Sequence, residues 1–159
     1  MENDPKFETC EVRKSDDAEK AFHIAEKLPS FFDKEGLKQI ELDTKNHILY
    51  GAYSGKEMIG FVTYKEINSD TIEMSWLGVL SERQGKGVGK KLVNQTLNEL
   101  SSKYKVCEVK TLSDTDSYKP YRNTRAFYKH IGFIPIETIN PYPGWGDNPC
   151  QIFVKFFGK

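Results

Sequence analysis

The stretch Arg83-Gln84-Gly85-Lys86-Gly87-Val88-Gly89-Lys90 limits what this chain can fold into more than any other. An apolar run, Met74-Ser75-Trp76-Leu77-Gly78-Val79-Leu80, precedes it, and apolar residues at helical spacing follow. The pattern is strand, glycine turn, helix. Glycines let backbone N–H groups converge on an anion, and the start of a helix adds unpaired donors and the positive end of a dipole. Lys86 and Lys90 stand where their charge reinforces a bound phosphate. The local chemistry reads as a pyrophosphate cradle. The plainer alternative is a solvated strand-to-helix turn whose glycines only serve the tight turning.

Three phosphate loops compete for these residues. A P-loop needs glycine where Gln84 stands and a hydroxyl residue where Lys91 stands. The dinucleotide fingerprint counted from Gly85 needs glycine at Lys90. The pattern that fits is Q/R-x-x-G-x-G/A, read as Gln84-Gly85-Lys86-Gly87-Val88-Gly89. It resembles the acetyl-CoA-binding signature of the GCN5-related N-acetyltransferase (GNAT) superfamily.

The rest of the chain can be laid out around that turn. Residues 8–14 can form a strand, and Ser15 offers an N-cap to a helix carrying Ala18, Ala21, Phe22, Ala25 and Leu28, which Pro29 stops. Asp33 caps a second, short helix with Leu37 and Ile40 on its inner face. Residues 47–53 and 57–66 read as a hairpin turning at Ser54-Gly55-Lys56, and residues 71–80 as the strand before the cradle. Val88, Leu92, Val93, Thr96, Leu97 and Leu100 stripe one face of the next helix, which ends near Tyr104. A strand follows at 107–112, then a helix entered at Pro120 and closed by Gly132, then strands at 133–138 and 150–157. Three prolines and two glycines between 140 and 149 forbid regular structure there. No repeat, low-complexity tract or linker interrupts the sequence, so residues 1–159 read as a single domain.

This element order is similar to the GNAT fold, with the glycine turn at the family's place for it. A second motif follows about 35 residues later, in Asn123-Thr124-Arg125-Ala126-Phe127-Tyr128-Lys129-His130-Ile131-Gly132-Phe133. It resembles the family's N-x-x-A-x-x-[FY]-Y-x-x-x-G-F neighbourhood, with slightly different internal spacing. The resemblance implies an α/β fold: a mixed, mostly antiparallel sheet of about seven strands flanked by about four helices, in the order β-α-α-β-β-β-α-β-α-β-β. It also implies acetyl-CoA as co-substrate, held by Gln84, Gly85, Lys86, Gly87, Val88, Gly89 and Lys90. Backbone groups of Leu77 and Val79 would pair with the pantetheine arm, and Asn123 would bond the pantetheine or phosphate region. A cap or first-turn role for Asn123 stands beside that. From Glu73 to Val79 a strand covers ~20 Å at ~3.3 Å per residue, comparable to an extended pantetheine arm. The thioester would therefore lie back toward Glu73 and Ser75.

Strand alternation puts Ile72, Met74, Trp76 and Leu80 on one face, and Glu73, Ser75, Leu77 and Val79 on the other. Glu73 is then a carboxylate on a largely apolar face, where burial would make it a stronger base for deprotonating an amine. An exposed, inert glutamate is the alternative. Tyr128 matches the family's tyrosine that acts as general acid toward the CoA sulfur, while Phe127 beside it reads as core. Catalysis would be direct transfer, with Glu73 as base and Tyr128 as acid. An acetyl-cysteine route lacks a thiol with a histidine partner or positive surroundings.

Composition narrows the partners. Lys+Arg and Asp+Glu number 23 each, so no global field favours nucleic acid, and no basic run is interleaved with aromatics. No apolar stretch approaches the ~18 residues of a membrane span, and Met1-Glu2-Asn3-Asp4-Pro5 is unlike a signal peptide. Three cysteines, Cys10, Cys107 and Cys150, form no paired spacing, which suits a reduced, cytoplasmic protein. His23, His47 and His130 show no metal-ligand spacing, so no metal is expected.

By resemblance, the acceptor site would be built by the first two helices and the late loop. That implicates Phe31, Phe32, Tyr142 and Trp145, either as walls for an amine or as core and loop pins. Asp33, Glu35, Asp114 and Asp116 would attract a cation or stand as solvated charge. The small size favours a small-molecule amine as acceptor over a protein lysine or N-terminus. A non-catalytic acetyl-CoA-binding module would need neither Glu73 nor Tyr128. A homodimer fits the family, with no diagnostic interface in the sequence.

Overall fold

The computed structural model describes residues 9–158. In chain order the elements are β1 (Glu11–Lys14), α1 (Ala18–Glu26), α2 (Lys34–Asn46), β2 (Ile48–Ser54), β3 (Glu57–Glu66), β4 (Thr71–Val79), α3 (Val88–Leu100), β5 (Val106–Leu112), α4 (Tyr121–His130), β6 (Ile134–Ile139) and β7 (Cys150–Phe156). Seven strands form one mixed sheet in the order β1-β2-β3-β4-β5-β7-β6, with four α-helices. The expected fold class and element order are those observed. Pairing is parallel between β4 and β5 and antiparallel for β1/β2, β2/β3, β5/β7 and β6/β7.

The chain divides into two compact units. One holds the residues up to Lys65 together with Ser75–Leu100; the other holds Glu66–Met74 and the residues from Ser101 on. In the first unit, α3 lies against β1 and β2 and buries Val88, Leu92, Val93, Thr96, Leu97 and Leu100, the stripe read from the sequence. Thr96 is tolerated there because its hydroxyl bonds the Leu92 carbonyl at 2.7 Å and the Tyr64 hydroxyl at 2.6 Å. The helix stops at Leu100, short of Tyr104.

Two expected boundaries move for local reasons. The cap of α1 is Asp17, whose carboxylate accepts from the Lys20 N–H at 3.2 Å. Ser15 lies outside the helix, its hydroxyl bonded to the Tyr53 hydroxyl at 2.8 Å and to the Asp17 N–H at 3.0 Å. Asp33 does cap α2, accepting from the Gly36 N–H at 2.8 Å, but the helix runs 13 residues to Asn46. The beginning of the expected first strand, residue 8, lies outside the described residues.

In the second unit, α4 lies against β5 and β6. Its buried residue is Tyr128, whose ring sits 5.7 Å from Phe133 and 6.0 Å from Phe153. Phe127, expected as core, is only half-buried. Tyr128 carries the packing instead because it points at β7.

Candidate active site

The glycine turn lies in the first unit. A single 3-10 turn, Ser81–Arg83, ends β4, and the chain then bends through Gly85 and Gly87 into α3. Both glycines have positive φ, +74° and +82°, a conformation that an L side chain resists. A β-carbon on Gly85 would meet nothing within 4 Å, so the backbone there faces open space. Lys86 and Lys90 make no ion pair among the described residues. Gln84 anchors the bend by donating from Nε2 to the Val79 carbonyl at 2.8 Å. That bond occupies one of the backbone groups expected for a ligand at Val79. The bend, open space and unpaired cations fit a phosphate-bearing group.

Strand β4 passes from one unit to the other between Met74 and Ser75. Its ladder with β5 covers Thr71–Met74 against Val106–Val109. Leu77 and Val79 lie beyond that register, in the first unit.

Along this strand Ile72, Met74 and Gly78 are buried while Glu73, Ser75, Leu77 and Val79 are half-buried, as alternation leads one to expect. Ser75 Oγ bonds His47 Nδ1 at 2.9 Å, and Trp76 Nε1 donates to Asp43 Oδ2 at 2.8 Å. Gly78 faces Phe61 and Leu28.

Glu73 lies in the second unit, and its surroundings are ionic where an apolar face was expected. The Lys110 ammonium stands 3.4 Å from both Glu73 carboxylate oxygens and 3.3 Å from Glu108 Oε1. It also lies 5.6 Å from the centre of the Tyr142 ring. Burial opposes the charge on Lys110, but the Tyr142 hydroxyl and the carboxylates of Glu73 and Glu108 outweigh it and hold its pKa above the ordinary lysine value.

Tyr128 is buried along with its ring. The residue is 6% exposed, and burial, with smaller contributions from Tyr121 and Cys107, raises its pKa above the usual tyrosine value. The hydroxyl has no hydrogen-bond partner among the described residues, yet no fully buried side-chain oxygen there lacks one. The phenol oxygen is thus not wholly enclosed, and burial keeps its proton in place. Asn123 is exposed in the first turn of α4.

Burial pushes the Cys107 thiol up to about 12 and the Cys150 thiol up to about 11. Neither forms a thiolate readily, which disfavours a covalent acetyl-cysteine. Among the described residues no group of His, Cys, Asp or Glu is placed to hold a metal ion. Of the expected acceptor residues, Phe32 is buried against Trp76 with ring centres 5.8 Å apart. In the second unit the Tyr142 and Trp145 rings meet at a tilt with centres 5.1 Å apart, and Asp116 accepts from the Tyr118 N–H at 2.8 Å.

The family profile described as the acetyltransferase (GNAT) domain matches residues 45–135, a span that takes in β4, the glycine turn and α4. This chain belongs to the GNAT acetyltransferase family. Solved GNAT structures share its fold. A protein of the family from Desulfovibrio desulfuricans superposes with a TM-score of 0.82 at 18% identity, over 94% of this chain and 100% of that one. The ribosomal-protein-S18-alanine N-acetyltransferase from Escherichia coli gives 0.76 at 14% identity, over 95% and 96%. An aminoglycoside 6'-N-acetyltransferase complexed with coenzyme A gives 0.73 at 19% identity, over 94% and 98%. No curated protein sequence matches the chain.

In this GNAT chain, sequence reasoning overlooked two groups of polar residues. Lys110 reads in sequence as one charge on a strand; only the register of Glu73 opposite Glu108 brings it to the carboxylates. Asp43 and His47 are four residues apart, a spacing that places them together at the end of one helix. Their partner Ser75 is distant in sequence.

Proposed function

We propose that this GNAT protein is one acetyl-CoA-dependent domain, residues 1–159, that moves an acetyl group directly to the primary amine of a small molecule. The observation that carries the donor half is the glycine bend, with Gly85 and Gly87 at positive φ, open space at Gly85, and Lys86 and Lys90 without ion pairs among the described residues. Gln84 to Lys90 would hold the phosphates, Leu77 and Val79 the pantetheine arm, and Asn123 its polar groups. The bound thioester supplies an activated acyl group.

The remaining chemistry belongs to side chains. Glu73 takes a proton from the amine, directly or through water, and Lys110 fixes its carboxylate in place. Tyr128 holds a proton on an oxygen without a partner and gives it to the departing sulfur. The two high-pKa thiols support transfer without an acetyl-cysteine.

A small amine is favoured because aminoglycoside acetyltransferases stand among the structural relatives. Acetylation of a protein amine is the second reading, because the structural relatives include an enzyme of that kind as well as aminoglycoside acetyltransferases. No disulfide joins Cys10, Cys107 and Cys150, which fits a reducing cytoplasm, and among the described residues no helix is long and apolar enough to cross a membrane.

Thiol release from acetyl-CoA across polyamines, amino acids, aminoglycosides and lysine peptides tests the reading. Acceptor-dependent release from a small amine is expected. Release with peptides alone moves the assignment to protein acetylation. Tight acetyl-CoA binding with no release across the panel counts against an enzyme.

A further inference from the structure

A hydrogen-bonded chain of side chains in the first unit has no part in the scheme above. Thr63 Oγ1 lies 2.7 Å from Ser75 Oγ, which lies 2.9 Å from His47 Nδ1. On the other side of the ring, His47 Nε2 stands 3.5 Å from Asp43 Oδ1. Asp43 also accepts from Trp76 Nε1 at 2.8 Å and Gln39 Nε2 at 2.9 Å. The side chains of His47 and Asp43 are 13% and 14% exposed, so these groups are withdrawn from bulk water.

The bonding directions follow from what each group can do. A carboxylate only accepts, so the ring proton facing Asp43 sits on Nε2, and Nδ1 of the neutral ring accepts from Ser75. Ser75 Oγ then accepts from Thr63. When the ring takes a second proton, Nδ1 donates to Ser75 Oγ, and Ser75 turns its own proton to the Thr63 carbonyl, 3.2 Å away. Ser75 thus has a partner in both protonation states without moving a heavy atom, while Nε2 stays 3.5 Å from the Asp43 carboxylate.

We propose that Ser75, His47 and Asp43 form a proton relay that carries an amine proton from β4 to solvent in each turnover. It rests on the acetyl-transfer reading above. An ammonium acceptor loses two protons in becoming an amide; the one that Glu73 takes offsets the one that Tyr128 gives to the departing sulfur, so the other must leave the protein. In the relay step an N–H bond of the amine breaks as an O–H bond forms at Ser75 Oγ. The original Ser75 O–H bond breaks as an N–H bond forms at His47 Nδ1, and no electrons change hands. Asp43 balances the resulting positive ring.

His47 then has an exit. It lines a cavity of about 430 Å³ together with Lys14, Ser15, Asp16, Thr44 and Lys45, and the exposed Lys45 and Asn46 border it. Asp43 from α2 stands beside the ring, and the charged residues lining the same cavity are Lys45 from α2 and Lys14 and Asp16 from β1 and the segment after it. Ser75 is the group that touches substrate; His47 and Asp43 act through it.

His47→Gln, Ser75→Ala and Ser75→Thr test the relay against the wild type. His47→Gln and Ser75→Ala are expected to lower kcat about 10–100-fold while acetyl-CoA affinity and unfolding temperature hold. Ser75→Thr, which keeps the hydroxyl, should restore most of the rate. Unchanged kcat in His47→Gln overturns the relay. Nitrogen-detected NMR of the ring decides independently of turnover, since the relay requires the neutral tautomer with its proton on Nε2. A neutral Nδ1–H ring overturns the relay even if no acceptor is found. A wild type that releases no thiol with any amine, yet shows the Nε2–H tautomer, counts against the acetyl-transfer reading and leaves the relay's geometry standing.

Discussion

The Lys110 ammonium sits 3.4 Å from each oxygen of the Glu73 carboxylate, from the neighbouring strand of the sheet. A forked contact of this kind fixes where the carboxylate points. The third member, Glu108, lies 3.3 Å from the same ammonium, so one cation separates two acids. Removing the cation leaves two carboxylates facing each other.

Lys110→Met should therefore cost both order and activity. The pair is partly exposed, so its loss is expected to lower stability by about 1 kcal/mol. Because the folded state raises the Lys110 pKa, its contribution is fully present below the ordinary lysine value and fades as pH rises above it. The gap in unfolding temperature between wild type and variant should be constant from about pH 7 to 9 and narrow above about pH 10.5. A gap that widens with rising pH would contradict the ion-pair assignment.

Tyr128→Phe keeps the ring packed against Phe133 and Phe153 and removes only the hydroxyl. A drop in kcat of about 100-fold is expected, with acetyl-CoA affinity and unfolding temperature unchanged. Turnover equal to wild type would remove Tyr128 from the proton transfers.

The elements were legible wherever period and punctuation agreed. The α3 stripe and the Asp33 cap are local patterns, and the glycines at 85 and 87 announce a bend in sequence. The active-site surroundings were harder to read because they depend on register. Glu73 meets Lys110 only because Glu73 pairs with Glu108 across β4 and β5. Ser75 meets His47 from 28 residues away in sequence, a contact that no local spacing marks.

Gly87→Val forces a branched side chain into φ +82° at the mouth of the bend. Left-handed backbone costs such a residue about 1–2 kcal/mol, and the relaxed chain no longer presents its N–H groups together. Calorimetry should find acetyl-CoA binding lost while the circular dichroism spectrum is retained. Retained affinity would mean that the phosphates lie elsewhere.

Gly78→Ala probes the close packing of β4 on β3. A β-carbon at Gly78 would come within 2.7 Å of Phe61 Cε1 and 3.3 Å of Leu28 Cδ1. Phe61 is fully buried, so its ring has little room to withdraw, and overpacking of this kind costs about 1–3 kcal/mol. Phe61→Leu alone should also destabilise, by leaving a void over the glycine. Combined, the two changes offset each other, because the added methyl fills space that the smaller side chain vacates. Denaturant unfolding of both single variants and the double variant measures this coupling. A double variant less stable than the sum of the single losses predicts would show that the ring does not cover Gly78 in solution.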